Sequence, residues 1–176
     1  MNRFMLPTIA LAIVATPVCA QQTAPNFAVS TSRALWQGLT GYITTTAEEL
    51  PEDLYAYRPT DEVRSFGEMF AHVAGAQYLI CAAALGDPPR DEAEVERTAK
   101  TKAAIVAALK ASTEYCARAY GQTDAAAGQS TQLFGQDATR LYALTMNATH
   151  NGEHYGNIVT YLRLNGIVPP SSRGGM

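Results

Sequence analysis

Four long stretches with apolar residues at helical spacing constrain the fold of this 176-residue chain more than any other feature. They predict helices over residues 28–49, 65–85, 98–120 and 136–164. Residues that stop helices follow each stretch, namely Pro51, Gly86, Gly121 and Asn165-Gly166. No convincing strand alternation and no internal repeat is present. The pattern therefore predicts an all-α fold, a four-helix bundle.

Local signals support two details of this prediction. Ser65, followed three residues later by Glu68, forms a capping-box pattern at the start of the second helix. The charged segment DEAEVER, residues 91–97, is interpreted as a solvated connector or a helical turn rather than a binding site.

The first twenty residues are predicted to be a signal peptide, so that the bundle comprises residues 21–170 and residues 171–176 form a flexible tail. Arg3 precedes the apolar run FMLPTIALAIVA, and VCA before Gln21 resembles a cleavage site. The prediction is a periplasmic or secreted protein with no stable membrane span after cleavage. Cys19 raises the alternative of a lipid anchor, although bulky Val18 stands where a small residue is expected. The formal charge of −3 provides no basic surplus, so no nucleic-acid partner is expected.

All three histidines of the chain can be placed on two of the predicted helices. His150 and His154 are four residues apart, which puts them on one face of the fourth helix at the spacing of helical zinc motifs. His72 lies midway along the second helix, which a bundle can bring opposite the fourth. Three nitrogen ligands with one open position are typical of catalytic metal sites. The alternative is three unrelated core or surface histidines.

The segment HNGEH also matches the inverted zinc-protease motif H-x-x-E-H. That mechanism needs an acidic ligand downstream, and no Asp or Glu follows His154. Glu153 is therefore interpreted as a surface charge or an outer-shell partner of the histidines. Glu68 and Asn147, each one turn from a histidine, are further candidates for outer-shell roles. Paired Glu-x-x-His motifs, which di-iron bundles need, are absent from the sequence.

Two further features leave alternatives open. Signal cleavage would leave Cys81 and Cys116, which could form a disulfide in an oxidising compartment or remain two buried thiols, depending on topology. Gly152 and Gly156 favour close helix packing within the chain, with a homodimer contact as the alternative.

Two segments, RSFGEMFAHVAGAQYL around His72 and HNGEHYGNIVTYLRLNGIVPPSS at the C-terminus, resemble the DinB-like metal-binding four-helix bundles. The resemblance covers essentially the whole mature chain. It implies an up-down-down-up bundle with a long crossover between the second and third helices. It also implies a divalent metal, zinc or nickel, bound by His72, His150 and His154.

The implied topology bears on the cysteines and on the activity. Parallel second and third helices would put Cys81 and Cys116 at comparable heights, which predicts a disulfide between them. Relatives in the family include thiol-dependent transferases and isomerases. The resemblance thus implies a metal-dependent enzyme of the thiol-transfer or hydrolysis class that acts on an unknown small-molecule substrate. The alternative is a non-catalytic protein in which the metal is structural or serves binding.

Overall fold

The computed structural model describes residues 26–174, and most of them are helical. The helices are α1 (Phe27–Glu49), α2 (Phe66–Leu85), α3 (Glu94–Thr98), α4 (Lys102–Ala119), α5 (Asp124–Ala127) and α6 (Arg140–Leu164). Two 3-10 helices, Glu52–Ala56 and Pro170–Ser172, and two strands, β1 (Ser130–Leu133) and β2 (Gln136–Thr139), lie in the connections. The predicted all-α fold class is confirmed, and α1, α2, α4 and α6 form the four-helix bundle.

The contacts between the long helices give their directions. Between α2 and α4 the paired residues rise together along the chain: Gly67 with Ile105, Gln77 with Ser112 and Cys81 with Cys116. These two helices are therefore parallel, and the intervening crossover contains α3. Between α2 and α6 the order reverses, since Phe66 packs on Tyr161 and Cys81 contacts Asn147. Those two helices are antiparallel.

A layer of buried polar side chains joins all four helices halfway along the bundle. Trp36 Nε1 donates to Gln77 Oε1 at 2.8 Å, and Gln77 Nε2 donates to Ser112 Oγ at 2.9 Å. Asn151 Nδ2 donates to Thr40 Oγ1 at 2.9 Å. Buried hydrogen bonds of this kind are lost if a helix slides, so the layer specifies the register of α1, α2, α4 and α6.

The termini of α2 follow the local sequence. Ser65 Oγ accepts from the backbone N–H of Glu68, and the Glu68 carboxylate accepts from the Ser65 N–H, which completes the predicted capping box. At the other end Gly86 adopts φ 75°, the left-handed conformation in which glycine has no steric penalty.

The structure corrects the predicted start of the last helix. Residues 136–139 form β2 rather than the first turn of a helix, and α6 begins at Arg140. β1 and β2 pair as an antiparallel hairpin through Phe134 (φ 51°) and Gly135 (φ 75°). A two-residue loop with two positive φ angles matches the twist of a hairpin. Strands of four residues are too short for their alternation to stand out in the sequence, and phenylalanine is not a typical residue for this turn.

The third long helix starts later than the predicted residue 98. Residues 94–98 form the short α3, and α4 begins only at Lys102 after Thr101, whose side chain accepts from the Ala104 N–H. Val95 of α3 is buried in the core. The DEAEVER segment is thus a packed helical turn and not simply a solvated connector.

Residues near the C-terminus contact the bundle where a loose tail was predicted. Tyr155 Oη donates to Ser171 Oγ at 2.9 Å, and Arg173 pairs with Glu49 of α1. The predicted signal peptide, residues 1–20, lies outside the described residues, as do Cys19 and the last two residues. Within residues 26–174, α2 is the one helix long and apolar enough to cross a membrane, and 72% of its apolar window is buried inside the bundle.

Candidate metal centre

The three histidines meet between α2 and α6. His72 and His154 lie on the side of the polar layer away from Cys81, and His150 directly precedes Asn151 of that layer. One ligand nitrogen from each of His72, His150 and His154 lies within 4.8 Å of the other two. His72 and His154 are each 8% exposed, and His150 is half-buried. Among residues 26–174, no Cys, Asp or Glu belongs to this group. The site therefore offers three nitrogen ligands that could hold a metal ion.

The donor geometry fits a small divalent cation. The Nε2 atoms of His150 and His154 are 3.0 Å apart, and two lone pairs facing each other at this distance repel unless a proton or a cation lies between them. Nitrogens bound to one zinc ion at ~2.0–2.1 Å with tetrahedral geometry are roughly 3.3 Å apart, close to the observed separation. Because the two Nε2 atoms face each other, they are the nitrogens that could share one ion, and the Nδ1 atoms of both rings are buried without a hydrogen-bond partner within the described residues.

Burial keeps these imidazoles neutral. It lowers the pKa of His154 to about 3 and that of His72 to about 4, with smaller contributions from neighbouring histidines and the Arg64 guanidinium. Burial also lowers the pKa of His150, although the Glu153 carboxylate opposes this shift. Neutral rings at pH 7 have free lone pairs, which metal coordination requires.

The residue that the structure places against His72 is Glu96 of α3. Glu96 Oε1 lies 3.0 Å from His72 Nδ1, and Glu92 Oε1 lies 3.6 Å from the same atom. Arg64 donates to both carboxylate oxygens of Glu96 at 3.2 and 3.3 Å. Sequence reasoning missed these contacts because the acidic segment was interpreted as a solvated connector or a helical turn rather than as part of a site. The signal that could have predicted these contacts is the position of the acidic segment in the crossover between α2 and α4, because this crossover has to pass over α2.

The predicted outer-shell residues have other neighbours. The Glu68 carboxylate accepts from the Ser65 N–H at 2.8 Å and pairs with Arg58 at 2.9 Å, so it caps α2 instead of contacting a histidine. Glu153 is exposed and makes no hydrogen bond to a histidine within the described residues. Its link to the site is the charge that acts on the pKa of His150.

Asn147 belongs to the opposite half of the bundle. It is fully buried, and its Nδ2 lies 3.5 Å from Cys81 Sγ, 3.7 Å from Cys116 Sγ and 3.3 Å from Tyr120 Oη. Cys81 and Cys116 form the predicted disulfide, with Cα atoms 5.3 Å apart. Asn147 therefore covers the disulfide rather than orienting a metal ligand.

A surface cleft of about 650 Å³ borders the histidine cluster. Residues 58–64 form one wall, and His154, Asn157 and Tyr161 of α6 form the other, with Glu96 between them. The Tyr161 hydroxyl donates to the Arg64 carbonyl oxygen at 3.1 Å, which ties the loop to α6. A small molecule in the cleft would lie beside His154.

Fold and site together define a class of protein: four-helix bundles whose second and last long helices contribute three clustered histidines. The chain belongs to the DinB superfamily, since the model of that family matches residues 36–158. The predicted family membership is confirmed.

Solved structures share the fold. The chain is similar to a DinB-like protein from Bacillus cereus, with a TM-score of 0.65 and 15% identity over 84% of this chain and 97% of the other. It is also similar to a DinB-like protein from Bacillus subtilis, with a TM-score of 0.64 and 22% identity over 86% of this chain and 100% of the other. Comparison with curated proteins gave no match.

Proposed function

We propose that this protein is an exported metal-dependent enzyme that binds zinc or nickel through His72, His150 and His154. The reaction class is thiol transfer or hydrolysis, and the substrate is a small molecule. The single observation that supports this proposal best is the convergence of three neutral imidazoles beside an open cleft.

A divalent ion with three histidine ligands supplies a Lewis acid that lowers the pKa of a water or thiol in its remaining position towards ~7. The chain's own residues supply the rest. Burial of His154 and His72 keeps both ligands neutral. Asn157, almost one turn beyond His154, exposes its side chain to the cleft without a hydrogen bond inside the described residues. Its amide can orient a polar group of the substrate.

The rest of the bundle argues against a purely structural metal. The Cys81–Cys116 disulfide and the polar layer around Gln77 join the helices without any contribution from the histidines. A small domain that depends on a metal for folding usually lacks such a core. We therefore expect the fold to persist when the ion is removed.

Export to the periplasm or the medium is part of the proposal. The N-terminal pattern described above supports it, and a buried disulfide suits an oxidising compartment. Fractionation of expressing cells, with the intact mass of the product, tests it. A mature chain that starts at Gln21 is expected, and a full-length chain retained in the cytoplasm would contradict export.

His150→Ala and His154→Ala are each expected to abolish stoichiometric metal binding while the bundle stays folded. Removing a ligand should weaken affinity by more than the roughly 10–100-fold that an outer partner contributes. Elemental analysis of untagged protein measures the metal. Zinc or nickel should raise the melting temperature of the metal-free wild-type protein, and this increase should be absent in both variants.

Glu153→Ala is the matched control, because Glu153 lies between the two histidines on α6 but is exposed. It should keep one metal equivalent and any turnover found with panels of thiol-transfer and ester substrates. A histidine variant that retains a full equivalent of metal would rule out the site. A variant that unfolds, with no turnover in the wild type, would favour the structural role.

A further inference from the structure

The crossover between α2 and α4 lies directly against the face of α2 that bears His72. Gly75 follows His72 by three residues and shares that face. A Cβ atom at Gly75 would overlap the carbonyl oxygen of Glu92, so only glycine lets the two backbones approach this closely. Val95, in the next turn of the crossover, is buried in the core. The crossover is thus packed in place beside His72.

This packing brings two carboxylates near one atom of His72, and only that of Glu96 is at hydrogen-bonding distance, since Glu92 Oε1 is 3.6 Å from Nδ1. Glu96 Oε1 lies 3.0 Å from Nδ1, a hydrogen-bonding distance. The carboxylate is itself held by the Arg64 guanidinium through both of its oxygens. Arg64 is in turn fixed through its carbonyl oxygen, which accepts from Tyr161 Oη of α6. The contacts form a chain from α6 through the loop and the crossover to the ring on α2.

We infer that Glu96 is the positioning residue of the metal site. Its carboxylate accepts a hydrogen bond from Nδ1–H of His72, fixes the tautomer that is protonated at Nδ1, and directs the Nε2 lone pair towards His150 and His154. Gly75 makes this possible by admitting the crossover, and Arg64 keeps the carboxylate in place. A ligating histidine whose other nitrogen donates to a carboxylate has a fixed ring orientation and a more basic coordinating nitrogen. The inference deepens the proposed function and rests on it for its metal readout.

The arrangement is specific to His72. The Nδ1 atoms of His150 and His154 have no partner within the described residues. Their rings are instead oriented by their spacing on one rigid helix. His72 comes from a different helix, and its ring has to be turned towards the other two by a separate contact. Glu96 supplies that contact from outside the bundle.

The first test uses metal-free protein and does not depend on activity. Nitrogen NMR of histidine-labelled protein at pH 7.5 reports which ring nitrogen of each histidine carries a proton. Wild-type His72 is expected to be neutral and protonated at Nδ1. Glu96→Ala should shift His72 towards the Nε2-protonated form, whereas Glu96→Gln, whose amide oxygen still accepts a hydrogen bond, should largely retain Nδ1–H. A wild-type ring protonated at Nε2 or at both nitrogens would overturn the inference.

The second readout is zinc affinity, measured by competition with a chelator. Glu96→Ala should lose roughly 10–100-fold in affinity, and Glu96→Gln should recover most of that loss. Glu94→Ala is the matched control, since Glu94 lies on the same short helix but is exposed and faces no histidine. If Glu96→Ala behaves as Glu94→Ala does in both measurements, Glu96 is not a positioning residue.

Gly75→Ala tests the same inference without changing a charged group. The added methyl must displace the Glu92 backbone, so the His72 tautomer and zinc affinity should both change as they do in Glu96→Ala. Gly38→Ala is the control, because a Cβ at Gly38 meets nothing within 4 Å. Unchanged NMR signals in a folded Gly75→Ala protein would overturn the role of Gly75.

The two proposals can fail separately. A wild-type protein that binds no zinc, but whose His72 tautomer still depends on Glu96, would refute the metal function and keep the positioning role. A wild-type protein that binds zinc equally well with and without Glu96, and with the same tautomer, would refute only the positioning role.

Discussion

Replacing both Cys81 and Cys116 with alanine is expected to lower the free energy of unfolding by about 4 kcal/mol, the value for a closed loop of the observed length. The disulfide joins residues 35 apart in the chain. Without it the unfolded chain regains the conformational entropy that this loop removes. Both cysteines are fully buried, so the vacated volume destabilises the native state further.

Urea unfolding of the oxidised wild type and of the double variant measures this difference. Unfolding the wild type in the presence of a reductant should reproduce most of the loss, whereas the double variant should not respond to the reductant. Zinc affinity should stay within a few-fold of wild type, because none of the three histidines contacts the disulfide and His72 and His154 lie on the other side of the polar layer. A loss below ~1 kcal/mol would show that the covalent link contributes little to stability.

Metal-free protein is expected to lose about 4 kcal/mol of stability between pH 7 and pH 5 through His72 and His154, roughly 2 kcal/mol for each. Burial lowers the folded-state pKa of His154 to about 3 and that of His72 to about 4, against about 6.5 in an unfolded chain. As the pH falls below 6.5 the unfolded chain binds protons that the folded protein does not. The contribution of these two histidines to stability is therefore fully present above about pH 6.5, and it is lost as the pH falls towards their folded-state pKa values.

Nearby carboxylates oppose the effect of burial on the pKa of His72. Glu96 and Glu92, whose Oε1 atoms lie 3.0 and 3.6 Å from His72 Nδ1, would both favour a protonated ring, although the charge of Glu96 is paired with Arg64. His154 has no carboxylate in contact within the described residues, and burial is the largest cause of its shift. His154 therefore gives the cleaner test.

Urea unfolding of chelator-treated protein at pH 7, 6 and 5 measures the pH slope. His154→Gln, which cannot titrate, should lose only about half as much stability over this range. Glu153→Ala, which removes a neighbouring exposed charge, should keep nearly the wild-type slope. An unchanged slope in His154→Gln would contradict a buried neutral ring at position 154.

Much of the bundle could be predicted from interactions between residues that are close together in the sequence. The capping box at Ser65 and the stop at Gly86 involve residues within one or two turns, and both ends of α2 agree with the prediction to within a residue. The spacing of His150 and His154 placed them on one helix face for the same reason. Helical periodicity is a local property, so it can be recognised from neighbouring residues alone.

The errors arose where tertiary packing overrides local preference. Residues 136–139 were assigned to a helix but pair with β1, because a turn with two positive φ angles folds them back. Glu68 was a candidate for an outer-shell role because it lies one turn before His72, yet its side chain accepts from the Ser65 N–H and pairs with Arg58. Proximity along a helix does not determine which neighbour a long side chain selects.

The sequence by itself determined the four helices, the shared face of His150 and His154, and, through a family resemblance, the likeness to DinB-like bundles. Only the tertiary structure decided that Glu96, 24 residues from His72 along the chain, meets its ring. That contact depends on the path of the crossover over Gly75, where two backbones touch. Periodicity describes which residues share a face of one helix, whereas the approach of two segments depends on packing between elements distant in the chain.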